Sequence, residues 1–161
     1  MDIGVYTVYP MVALFGRPEK IDAQGIVLSS GADGQGAVNF RYGEMNATVL
    51  YSKIADSYLP TEIEGEAGNL QLDAIHTARE VIWIPRRAAA SGRGPAPERK
   101  SVGVALERDA YYYEIAEFID LIEQGKLESE VNSHENSLAT MEIVDEVRRQ
   151  LGVVYPADGV R

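Results

Sequence analysis

A chain of 161 residues without cysteine can form no disulfide, no thiolate nucleophile and no cysteine-ligated metal site. With 25 acidic and 15 basic residues it carries a formal charge of −10, which opposes nucleic acid at long range. Two histidines far apart supply no metal-binding motif, no apolar run approaches the roughly 18 residues of a membrane span, and the start Met-Asp-Ile-Gly is not a secretion signal, so a cytoplasmic protein of one domain is expected.

In chain order, residues 2–15 read as a helix that Asp2 can cap and that Gly16 and Pro18 stop. Pro10 inside it cannot donate to the Tyr6 carbonyl. A block of strands follows. Val38, Phe40 and Tyr42 alternate with polar neighbours, as do Met45, Ala47, Val49 and Tyr51, with a short turn at Gly43-Glu44. The run 26–28 is expected to pair with 37–42 through a turn-rich 29–36. Thr61–Glu64, 70–72, 81–84 and 102–106 complete the candidates. The Ala-, Gly-, Pro- and Arg-rich stretch 87–98 reads as a loop, and without an aromatic residue it makes a poor nucleic-acid patch.

Two helices close the chain. Asp109 caps the first, with Tyr112, Ile115, Phe118, Ile119 and Ile122 as its stripe and Gly125 as its stop. Asn132, with Glu135 three residues on, suggests a capping box for the second, whose stripe is Leu138, Met141, Val144, Val147 and Leu151. Helices segregated from short, turn-linked strands mean an α+β fold with a largely antiparallel open sheet and helices on one face. Strands such as 81–84 are apolar on both sides. The other face is therefore expected to pack against a second subunit, making a homodimer. Residues 1–155 are assigned to this domain and 156–161 to a tail.

Chemistry-bearing groups are few. Gly31, Gly34 and Gly36 resemble a phosphate loop only superficially, because a strand rather than a helix follows them; a hairpin loop is expected. His76 and His134 read as surface or packing residues, and Glu62, Glu64 and Glu66 as a solvated strand face. Asp2 and Tyr6 are spaced to share a helical face, where a carboxylate and a phenol can orient a substrate hydroxyl and exchange its proton. A phenol titrates near 10, so it needs positive charge nearby to serve as a base at neutral pH. An N-cap and a packed tyrosine explain the same spacing.

Several segments together resemble one family. Asp2-Ile-Gly-Val-Tyr6 followed by Tyr9-Pro10 resembles the Asp-x-Gly-x-Tyr/His signature of the Gfo/Idh/MocA oxidoreductases. Tyr112-Tyr113-Glu114, Phe118, Ile122 and Gly125 are similar to a later helix of that family. Ser133-His134-Glu135-Asn136-Ser137-Leu138, with Met141, Ile143, Asp145 and Arg148-Arg149-Gln150, resembles its dihydrodiol and xylose dehydrogenase subgroup.

The resemblance implies a C-terminal substrate-binding and dimerisation domain, without the Rossmann domain that binds NAD or NADP and carries the catalytic lysine. Pro18-Glu19-Lys20 has that lysine motif's residues in the wrong order, and Lys20 is not assigned the role. By the resemblance, Asp2 positions a sugar, polyol or diol substrate and Tyr6 transfers the proton. The chain alone is then expected to hold no cofactor and no metal, and to be inactive. The alternative is a stand-alone, non-catalytic assembly or ligand-binding module with the same fold.

Overall fold

The structure, a computed structural model, describes residues 1–87 and 96–159. Most of the predicted loop 87–98 therefore lies outside the described residues. The chain divides into two compact units, one formed by Met1–Ser57 and Asp120–Arg161, the other by Tyr58–Ile119. The fold is α+β as expected, but the strands form two antiparallel sheets rather than one.

The first unit is a three-stranded sheet under two helices. Strands β1 (Lys20–Val27), β2 (Asp33–Tyr42) and β3 (Met45–Ser52) pair in sequence order. Helices α1 (Val5–Phe15) and α3 (His134–Leu151) supply the other half of the core. Val38, Phe40, Val49 and Tyr51 from the sheet meet Val8, Met11 and Val12 of α1 and Ile143, Val144 and Val147 of α3. These sheet residues alternate with outward ones, so one face is apolar and the other carries Lys20, Asp22, Gln35, Asn39, Arg41 and Thr48 together with Ile26, Ala37 and Leu50. This second face is mixed: Ile26 and Leu50 stand exposed among its polar residues.

Several local expectations are corrected. Helix α1 begins at Val5, with Asp2 in the turn before it; Gly4 is the N-cap and no side chain caps it. Asp2 and Tyr6 thus do not share a helical face. The helix ends as expected, Gly16 taking φ 73° and donating its N–H to the Val12 carbonyl. Strand β1 starts at Lys20, opposite Arg41, and is much longer than 26–28.

Most of the glycine segment lies in β2, where Gly36 pairs with Tyr51. Only Leu28–Ala32 bridges the hairpin, closed by the Leu28 N–H bonding to the Ala32 carbonyl. Glycine is required at position 36 because the Tyr51 ring covers its Cα.

Helix α3 is capped by Ser133, whose hydroxyl accepts from the Asn136 N–H at 3.1 Å, so the predicted Asn132–Glu135 box is not used. Its buried face is Ala139, Thr140, Ile143, Val144 and Val147, while Leu138 and Met141 stand exposed. The small Ala139, and Thr140 returning its hydroxyl to the Asn136 carbonyl at 2.8 Å, turn a slimmer face inward than the long side chains would.

Gln150 closes the open edge of β1. Its Oε1 accepts from the Ala23 N–H at 2.7 Å, and its Nε2 donates to the Ile21 carbonyl at 2.8 Å. The predicted tail is partly built: Pro156–Gly159 form a 3-10 turn, and Asp158 binds Arg148 at 2.6 Å.

The second unit holds β4 (Thr61–Glu64), β5 (Gly68–Leu72), β6 (Val81–Pro85) and β7 (Lys100–Ser101) in that order. Residues 102–106 are not a strand, although Val102 and Gly103 still bond to the Val81 carbonyl. Register places Ile63, Leu70, Leu72, Val81 and Trp83 on one face, with Glu62, Glu64, Asn69 and Gln71 on the other.

Helix α2 (Ala110–Glu123) is capped by Asp109, which accepts from the Tyr111 and Tyr112 N–H groups at 2.9 and 3.2 Å. Its predicted stripe, Tyr112, Ile115, Phe118, Ile119 and Ile122, is exposed throughout.

Candidate functional site

The two carried-over residues lie at the start of α1. Asp2 sits in the turn that feeds the helix, and Tyr6 is the helix's second residue. The Asp2 side chain is 82% exposed and Tyr6 is 59% exposed, so both groups are open to a ligand. The turn is fixed by backbone bonds from Tyr6 N–H to the Ile3 carbonyl and from Val8 N–H to the Gly4 carbonyl.

Sequence reasoning missed Lys53. Its Nζ stands 3.4 Å from the Asp2 carboxylate, and its backbone N–H is bonded to the Gly34 carbonyl at 2.7 Å. It follows directly on β3, so the sheet rather than α1 delivers it. A carboxylate oxygen can accept a hydrogen bond from a substrate hydroxyl, and the ammonium beside it can donate one. An acid and a lysine fifty-one positions apart carry no sequence signal of their proximity.

Below this pair lies a buried polar cluster. Asp33 is 1% exposed, and the Met1 nitrogen stands 3.2 Å from its Oδ1. The same nitrogen donates to the Tyr155 hydroxyl at 3.3 Å. The Tyr51 phenol shares this space. Burial, reinforced by the negative charge of Asp33 and by Tyr155, pushes its pKa up to about 12.

The bulge at Ile26/Val27 explains why Asp33 points inward. It pairs Val27 with Asp33 and skips Gly34, which breaks the alternation that would otherwise place Asp33 beside the exposed Gln35.

The other candidates stay apart from this site. His134 is exposed at the first position of α3, its N–H bonded to the Glu128 carboxylate at 2.5 Å. His76 is exposed in the connection between β5 and β6. Glu62 and Glu64 are exposed on β4, Glu62 accepting from Asn69 at 3.0 Å, and Glu66 is exposed in the turn after it. No group of three potential metal ligands occurs among the described residues, and none of the helices searched there is long and apolar enough to cross a membrane. The glycines at 34 and 36 lie inside a strand, with no helix N-terminus behind them, and do not fit a dinucleotide's pyrophosphate.

Comparison with known proteins supplies what geometry does not. No family model matches the chain. It is 44% identical over 158 residues to scyllo-inositol 2-dehydrogenase (NADP(+)) IolU of Bacillus subtilis (strain 168), a match covering 98% of this chain and 45% of that protein. It is 30% identical over 165 residues to trans-1,2-dihydrobenzene-1,2-diol dehydrogenase of Danio rerio, covering 98% and 47%.

The chain belongs to the Gfo/Idh/MocA oxidoreductases, as a domain homologous to their C-terminal half.

It spans about half the length of the curated relatives it matches. Among solved structures, UDP-N-acetylglucosamine 3-dehydrogenase GnnA from Acidithiobacillus ferrooxidans superposes with a TM-score of 0.73 at 15% identity, over 94% of this chain and 46% of that one, a likeness of fold. Asp2 and Tyr6, which resemble the family signature, and Lys53, which the fold brings to Asp2, are the candidate site residues.

Proposed function

We propose that this chain is the substrate-binding and dimerisation half of an NAD(P)-dependent oxidoreductase that acts on a sugar, polyol or diol hydroxyl. The observation that carries the reading is the full-length match to dehydrogenases of an inositol and of a cyclic diol, each about twice as long as this chain. The exposed Asp2, Tyr6 and Lys53 support it. In this reading Asp2, with Lys53 beside it, accepts a hydrogen bond from a substrate hydroxyl and orients it, and Tyr6 takes the hydroxyl proton. In this reading the nicotinamide cofactor is bound mainly by a separate Rossmann domain of the parent enzyme.

Dimerisation is proposed through the apolar face of the four-stranded sheet. Its Ile63, Leu70, Val81 and Trp83 are only half-buried, and apolar surface in a contiguous row favours burial against a partner.

The test joins the chain to the preceding half of its parent protein. The joined enzyme should reduce NAD(P) with a polyol or diol, while the 161-residue chain alone should show no saturable NAD(P)H binding by calorimetry. Tyr6→Phe in the joined enzyme should lower kcat by about 10²-fold or more and leave cofactor KM unchanged. Unchanged turnover rules out the proton-transfer role. A monomer by sedimentation at micromolar concentration rules out the dimer.

A further inference from the structure

Lys53 is mounted more firmly than an exposed ion pair requires. Its N–H bonds to the Gly34 carbonyl at 2.7 Å, and the Ser52 hydroxyl just before it accepts from the Ile54 and Ala55 N–H groups at 3.1 and 2.9 Å. The chain leaving β3 is thus fixed on both sides of the lysine. The Lys53 side chain is 30% exposed, against 82% for Asp2, so its stem lies along the protein and its ammonium comes out beside the carboxylate. The contact joins two side chains and involves no chain terminus.

Stability does not explain the pair. An ion pair with one partner this open to water adds little, because solvent screens it and ordering the side chains opposes it. What the arrangement offers is hydrogen-bonding capacity of opposite kinds, side by side. An ammonium has three donors and no acceptor, whereas an ionised carboxylate only accepts. The contact at 3.4 Å leaves Lys53 donors and Asp2 lone pairs for a ligand.

A single hydroxyl satisfies one of these groups. Two hydroxyls on neighbouring carbons satisfy both, one donating to Asp2 and the other accepting from Lys53. Oxygens held gauche on adjacent ring carbons are close enough together to meet both head groups at once.

We propose that Lys53 is a specificity-determining residue: its ammonium donates to the hydroxyl on the carbon next to the reacting one, and with Asp2 it selects a vicinal diol over an isolated alcohol. Which hydroxyl reacts rests on the function proposed above; the paired grip on a diol does not.

Two measurements test it, with trans-cyclohexane-1,2-diol as the paired probe and cyclohexanol as the single one. In the joined two-domain enzyme, the wild type should favour the diol in kcat/KM by about tenfold or more, since a site built for a hydroxyl discriminates against its absence. Lys53→Met, of similar length but without a donor, should bring the preference to within about threefold of none, with cofactor KM unchanged. Lys53→Arg, which keeps donors, should stay closer to wild type than to Lys53→Met. In the 161-residue chain, an NMR titration with the diol should give saturable amide shifts at Asp2 and Lys53. Cyclohexanol with the wild-type chain, and the diol with Lys53→Met, should each bind about tenfold more weakly or worse.

A wild type that does not prefer the diol overturns the proposal. So does a preference that survives Lys53→Met, or a titration in which the two chains bind the diol alike. Lys53→Ala serves should Lys53→Met not fold; if neither folds, the lysine is structural and the proposal fails. A joined wild type that oxidises neither alcohol counts against the functional reading alone, and the titration then decides whether Lys53 and Asp2 hold a diol.

Discussion

The ring of Tyr51 fills the space that a side chain at position 36 would need. The two residues face each other across the β2–β3 ladder, and a Cβ on Gly36 would fall well inside van der Waals contact with the phenol's Cζ and Oη. The glycine and the tyrosine are thus one packing unit.

Gly36→Ala should therefore destabilise the first unit by about 1–3 kcal/mol, the usual cost of overfilling a packed site. Urea denaturation reads the loss. In a Tyr51→Ala background the same substitution should cost almost nothing, since the ring that it strikes is gone. An equal cost in both backgrounds would place the strain elsewhere.

Gln150 is a second test of packing. Its amide both accepts from Ala23 and donates to Ile21, which an ionised carboxylate in its place could not do. Gln150→Ala should cost about 1–3 kcal/mol by leaving edge groups of β1 without a protein partner. Gln150→Glu should cost a comparable amount, because a carboxylate cannot donate to the Ile21 carbonyl. Faster exchange of the Ala23 amide should accompany Gln150→Ala; a protected Ala23 would contradict the clamp.

Alkaline pH offers a third. The Tyr51 phenol ionises near 10 when exposed and at about 12 in the folded chain, chiefly because burial disfavours its anion. Below pH 10 both states keep the proton and stability is unaffected. Between about pH 10 and pH 12 the unfolded state binds fewer protons than the folded one, so stability falls as pH rises. Denaturation midpoints from pH 9 to pH 11 should fall in wild type and fall less steeply in Tyr51→Phe. Identical slopes would remove Tyr51 as the cause.

Much of this protein is legible locally. The alternations at Val38, Phe40 and Tyr42 and at Met45, Ala47, Val49 and Tyr51 do place β2 and β3, the Asp109 cap does start α2, and Gly16 does end α1. These features depend on residues within a few positions of one another. The misreadings share a different origin. Asp2 was expected to cap a helix that begins at Val5, and Leu138 and Met141 were expected in a core that instead takes Ala139 and Thr140. In both cases a distant contact overrode the local preference: the Met1–Gly4 turn packs on Tyr51, and α3 presents a slim face to its neighbours.

The sequence by itself determined the α+β class and most strand and helix positions, and its likeness to a family signature singled out Asp2 and Tyr6 as candidates. The tertiary structure alone decided that the strands form two sheets and that Gly36 belongs under a ring. It also brought Lys53 to Asp2 and turned Asp33 inward through a bulge. The division follows from range. Periodicity and capping are set by neighbours along the chain, whereas register, bulges and ion pairs between β3 and the start of α1 exist only once the chain has folded back on itself.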